Sequence, residues 1–142
     1  MKNIASIRIL PNSKSTFPTD QDFRVFVEKT MIDRGGYYYF PGNMMKCPDQ
    51  TLVLLQYDGK IRAYGVLIDK SKEIVHDEQG VAYAGYYRFD TRTLHYLNTP
   101  IDKDMLIKAY SDFKGFSQSK QVIPIEYLGQ HRAINKVLSS KA

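Results

Sequence analysis

Tryptophan is absent from this chain, and it carries one cysteine, Cys47, and three histidines. A single thiol cannot close an internal disulfide and is too few for a zinc cluster. His76, His95 and His131 have no metal-ligand spacing, and none stands in a His-Glu-x-x-His pattern. There is no Gly-x-Ser-x-Gly elbow and no Gly-x-x-x-x-Gly-Lys phosphate loop. Asp77-Glu78 are adjacent carboxylates in a polar stretch and read as solvated rather than catalytic. No apolar run approaches the roughly 20 residues of a membrane span, and the opening Met-Lys-Asn-Ile-Ala-Ser-Ile-Arg lacks a signal-peptide core. These absences lead to a cytoplasmic, non-catalytic protein that needs no cofactor or metal and no membrane.

What is present is a soluble composition, 43% hydrophobic and 25% charged over 142 residues. That length suits one domain, residues 1–142, with a core of its own. The organising stretch is 51–69, where two apolar runs flank Asp58-Gly59. Asp-Gly tolerates the positive φ that both central residues of a type I′ turn require, so a hairpin is expected. Leu52, Val53, Leu54 and Leu55 run without polar interruption, which predicts a strand covered on both faces, as inside a closed barrel. Ala63 and Gly65 share one face of its partner, where another element or a ligand can approach closely.

Around this hairpin, residues 4–10 alternate as a first strand that Pro11 breaks. Thr19 caps a helix, with Asp22 completing a shortened capping box. Phe23, Phe26, Val27, Thr30 and Met31 fill one face of that helix, and Arg24 pairs with Glu28 on the other. Gly35-Gly36 ends it in the left-handed region. Residues 37–40 are four aromatics in a row closed by Pro41-Gly42. Residues 69–80 read as a charged loop with a frayed strand end, and 81–89 with 93–97 as a second hairpin continuing the meander. Asp102 caps another helix carrying Met105, Leu106, Ala109, Tyr110 and Phe113. A short strand at 122–125 and a helix over 127–138 complete an α+β chain of five or six strands and about three helices.

Net charge is +5. From Lys114 onward five positive residues stand against Glu126 alone, the footprint of a phosphate-binding surface or of a plain solvated helix. There are 11 tyrosines and 7 phenylalanines. In a strand Tyr37 and Tyr39 face one way, Tyr38 and Phe40 the other. One pair is core, while the other is either core too or a stacking platform for a base. Ser117, Gln118, Lys120 and Gln121 set amide, hydroxyl and ammonium groups around Phe116. Such groups match base edges and phosphate, and a polar loop with one anchoring Phe is the plainer reading. Loop 115–121 and Tyr37 with Tyr39 are expected to wall one cleft.

Three runs carry a family resemblance: Leu-Val-Leu-Leu-Gln-Tyr-Asp-Gly-Lys-Ile, Gly-Tyr-Tyr-Arg-Phe-Asp and Phe-Lys-Gly-Phe-Ser-Gln-Ser-Lys-Gln. Across about residues 37–121 the chain resembles small bacterial PUA-like domains related to EVE and ASCH domains. Similar segments precede HNH nucleases and other restriction-type effectors. The resemblance implies a five- to six-stranded β-barrel with helices at its openings, binding nucleic acid, DNA ahead of RNA, and sometimes a modified base. It carries over Phe116, Ser117, Gln118, Lys120 and Gln121 as nucleic-acid contacts. The chain departs from relatives that cage modified bases with tryptophan, and no HNH motif follows, so any nuclease effector is a separate protein or lies outside these residues. A protein-interaction or regulatory domain with an aromatic surface is the alternative.

Overall fold

The Asp58-Gly59 turn closes with both φ angles positive, 53° and 74°, as a type I′ turn requires. The structure, a computed structural model, describes residues 4–109 and 113. The turn joins β3 (Thr51–Tyr57) to β4 (Lys60–Ser71), and all seven residues of β3 are buried. Its side chains alternate between two cores. Val53, Leu55 and Tyr57 meet Phe23, Val27 and Met31 on one face. Leu52 and Leu54 meet Ile7, Ile9 and Leu106 on the other. The double burial of β3 therefore comes from layers packed on both faces of an open sheet.

β1 (Ser6–Asn12) lies parallel to β3 from Ser6 opposite Thr51 to Asn12 opposite Tyr57. It runs through Pro11 rather than stopping there, because an edge strand tolerates a residue without an N–H. β2 (Tyr37–Phe40) pairs antiparallel with β7 (Gly85–Phe89). β4 serves three neighbours: β3, β7 along its residues 67–71, and β8 (His95–Asp102) along 60–64. The expected meander from 81–89 into 93–97 does not form. Both strands pair with β4 instead, and the 3-10 turn Thr91–Thr93 between them is tied to β4 at Val66. Asp90 N donates to Val66 O at 2.9 Å, and Val66 N donates to Thr93 Oγ1 at 2.8 Å. Residues 69–80, expected as a loop with a frayed strand end, carry that end as the last residues of β4 and in addition β5 (Val75–His76), which pairs with β6 (Ala82–Tyr83) in a separate two-stranded sheet. What approaches Gly65 is another element: a Cβ there would meet Leu94 Cδ2 at 2.7 Å.

The first helix starts where its sequence dictates. Thr19 Oγ1 accepts from Asp22 N, and Asp22 Oδ2 accepts from Thr19 N, each at 3.1 Å. α1 (Asp20–Val25) passes through a π-helical turn (Phe26–Thr30) into α2 (Met31–Asp33). Phe23, Val27 and Met31 are buried, and Arg24 Nε donates to Glu28 at 2.6 Å on the outer side. At the end, Gly36 N donates to Met31 O and Gly35 N to Ile32 O, the paired bonds of a Schellman cap. The second helix, α3 (Lys103–Ala109), is capped by Asp102, which accepts from Met105 N at 2.9 Å. Leu106 is buried, whereas Met105 is 41% exposed. Among the described residues no helix is long and apolar enough to cross a membrane. The strand expected at 122–125, the helix at 127–138 and the basic segment from Lys114 lie outside the described residues.

The strand order is β1-β3-β4-β7-β2, with β8 also on β4, and β1 and β2 do not pair with one another. Four strand spacings would hold the two ends about 19 Å apart in a flat sheet. Yet Tyr38 on β2 donates a 2.7 Å hydrogen bond to Asn12 on β1. The sheet is therefore strongly curled, and its two edges face each other across a seam that is not closed by strand pairing. Bulges help, because β4 shifts register against β3 near Arg62 and against β7 between Leu67 and Asp69, and each bulge bends a strand.

Gly36 locks β2 to this frame. Its φ is +97°, its carbonyl accepts from Phe89 N at 2.8 Å, and an added Cβ would fall 2.0 Å from Phe89 O. Gly36→Ala is expected to cost at least about 2 kcal/mol, backbone strain and backbone clash together. Gly42→Ala, which meets open space, should stay within about 0.5 kcal/mol. Urea unfolding of both variants checks this.

Candidate functional site

The four aromatics of β2 are divided among three environments. Phe40 is buried in the core that also holds Tyr87 and Phe89. Tyr38 is half-buried, its ring 5.8 Å from Phe26 and 6.1 Å from Tyr87. Tyr39 lies 5.7 Å from Tyr83 and carries the Arg34 guanidinium 4.4 Å above its ring. Tyr37 packs edge-on against Tyr86 at 5.0 Å and under Arg88 at 5.0 Å. Neither pair is wholly core.

A cleft of about 540 Å³ opens at the seam. Pro11 and Asn12 of β1, with Ser13, Thr16 and Phe17 beyond it, form one wall. Tyr38, Tyr39 and Pro41 form the other, Phe26 and Arg34 enter from the helix, and Tyr83 enters from the β5–β6 hairpin. A second depression of about 250 Å³ lies against the same Pro11, Tyr38 and Pro41 and reaches Phe40 and Asn43. The 13–17 connection is fixed from below: Phe17 packs on Phe26 at 4.8 Å and Phe23 at 5.3 Å, and the Tyr57 hydroxyl donates to Phe17 O. The cleft wall is thus an extension of the aromatic core.

Its one cation in the described lining is neutralised. Arg34 donates from Nε and Nη2 to the two Glu78 oxygens at 2.8 and 2.7 Å, a forked pair. Arg34 is 14% exposed and Glu78 54%. The hydrogen bond from Arg34 holds the Glu78 carboxyl down to about 2. Its neighbour Asp77 accepts from Gln79 N and Val81 N at 2.9 Å, shaping the hairpin tip. Both carboxylates stay at the surface, as expected, and in addition each holds part of the hairpin in place. Burial first, then Asp77, pushes the Tyr83 phenol up, and burial pushes the Tyr38 phenol well up, so both stay protonated near neutrality. Lys14 lies beyond the wall, 3.4 Å from Asp58. Cys47 is buried in the larger core, and no group of three or more potential metal ligands gathers among the described residues.

Of the residues singled out in the sequence, Tyr39 lines the cleft and Tyr37 does not. Phe116, Ser117, Gln118, Lys120 and Gln121 lie outside the described residues. Within those, the wall facing Tyr39 is made by residues 11–17. That stretch, Pro-Asn-Ser-Lys-Ser-Thr-Phe, has the same make-up as loop 115–121, polar groups around one aromatic, and that pattern was the available signal. Arg34 and Glu78 are 44 positions apart and no local pattern links them. Compared with protein-family models and with curated proteins, the chain matches none.

Glu78 gives a pH test with a definite sign. Its folded-state value is lowered, so its contribution is complete above the ordinary carboxylate range and is lost as pH falls through about 2. An NMR titration of the Glu78 carboxyl should show a midpoint near 2. In Arg34→Gln the midpoint should rise toward the ordinary glutamate range of about 4.3, the rest of the lowering being held by a backbone N–H.

Proposed function

We propose that this chain is a non-catalytic nucleic-acid-binding module of PUA-like architecture that takes an unstacked base into the seam cleft. The carrying observation is the cleft itself: about 540 Å³, walled by Phe17, Phe26, Tyr38, Tyr39 and Tyr83, its one charge in the described lining spent on Glu78. A planar, uncharged group suits such walls, because every base has a π-face and stacking does not depend on sequence. Phosphate contacts fall to cations outside the cleft, Lys14 among them, and to the basic segment from Lys114. DNA is preferred to RNA in this reading, and a role beside a restriction or defence nuclease follows from the resemblance. In the same reading the curled sheet is a PUA-like barrel with the β1–β2 seam as its open side. An aromatic protein-interaction surface has less support: Tyr57, Tyr64, Tyr87 and Tyr96 are buried, and among the described residues the exposed large hydrophobics are aliphatic or Met.

Anisotropy titrations with labelled single-stranded DNA, duplex DNA and RNA over a salt series test the proposal. Single strands should bind more tightly than duplex, and log K should fall linearly with log salt. Tyr39→Ala should weaken binding by about 1–3 kcal/mol at every salt concentration, and Tyr37→Ala much less. No binding to any of the three at low salt would sink the proposal.

A further inference from the structure

The hydrogen atoms shared between Asn12 and Tyr38, which face each other from the two cleft walls, can be counted. Asn12 Nδ2 lies 3.2 Å from two main-chain carbonyl oxygens, of Leu10 and of Gln56. Carbonyls only accept, so the amide must turn its NH₂ toward them. The flipped amide would press its oxygen against both. Both Asn12 hydrogens are then used. Asn12 Oδ1 is left facing Tyr38 Oη at 2.7 Å. An amide oxygen cannot donate, so Tyr38 spends its only hydrogen on it. Neither group has a hydrogen left, and both line the cleft. What they offer a ligand is lone pairs alone.

Resting on the base-binding reading above, we propose that the Asn12–Tyr38 pair makes the cleft selective for bases with an exocyclic amino group: adenine, cytosine or guanine against thymine and uracil. An amino group brings two N–H donors to two adjacent acceptors. Thymine and uracil present one N–H flanked by two carbonyl oxygens, and those oxygens face the lone pairs of Asn12 Oδ1 and Tyr38 Oη. Asn12 Oδ1 keeps the Tyr38 hydrogen whatever enters, so discrimination comes from the remaining lone pairs of the two oxygens, which meet N–H donors in one case and carbonyl oxygens in the other. Tyr38 and Asn12 are the specificity-determining residues, whereas Tyr39 supplies stacking that every base shares.

The test is a set of titrations with single-stranded homopolymers of one length: oligo-dA, oligo-dC and oligo-dT, with oligo-dA carrying N6,N6-dimethyladenine as the ligand-side control. The amino-bearing strands should bind about tenfold more tightly than oligo-dT, and dimethylation should remove most of that advantage. Tyr38→Phe, with its melting temperature checked, should narrow the ratio, because it deletes one acceptor and one source of carbonyl repulsion. Equal binding of all homopolymers, with Tyr39→Ala weakening each, overturns the selectivity and leaves the cleft reading intact. A ratio that survives dimethylation overturns it likewise. Failure of every homopolymer to bind overturns the selectivity together with the reading beneath it.

Discussion

The 2.7 Å hydrogen bond from Tyr38 to Asn12 Oδ1 joins the two ends of a sheet whose strand order would otherwise keep them far apart. It is half-buried at both ends, so its partners lose water and gain each other, with the Asn12 amide completed by two main-chain carbonyls. A network in which every member is satisfied fixes geometry more than it adds stability. Here it sets the width of the seam, and the seam is the cleft.

The rest of the structure serves that width. The Thr19 and Asp22 capping box starts the helix at a fixed point, and the Gly35-Gly36 cap ends it directly at β2. Arg34, the last residue before that cap, is thereby placed over Tyr39 and within reach of Glu78. One ion pair links the helix end to the β5–β6 hairpin, and Tyr83 on that hairpin completes the cleft wall. An exposed ion pair contributes little to stability. With Arg34 mostly buried and gripped at two atoms, this one instead fixes position.

The curl has its own cause in β4. A strand of twelve residues that pairs with three neighbours cannot stay flat, and its bulges at Arg62 and Ile68 let β8 and β7 take successive stretches. The Arg62 bulge also frees that side chain to reach Leu97 O and to lie 5.2 Å over the Tyr96 ring, with Arg24 at the same distance. Two guanidiniums on one ring tie α1 to the β4–β8 region.

Local chemistry was enough to read much of this from residues alone. Asp58-Gly59 set a hairpin because few pairs accept positive φ twice. Thr19 with Asp22 and Gly35 with Gly36 bounded a helix because cap geometry depends only on near neighbours. The buried run 52–55 declared a strand covered on both faces. What the residues could not convey was whatever depends on distant partners. The same burial of β3 fits a closed barrel or an open sheet between two layers, and what distinguishes them is that the end strands β1 and β2 do not pair. Alternation along 37–40 named two faces, but whether a face meets core, cleft or a neighbouring ring depends on β1, β7 and the hairpin. Asn12 and Tyr38 are 26 positions apart. Their hydrogen bond exists because the sheet curls, and a curl is a property of strand order and bulges that no single stretch of sequence contains.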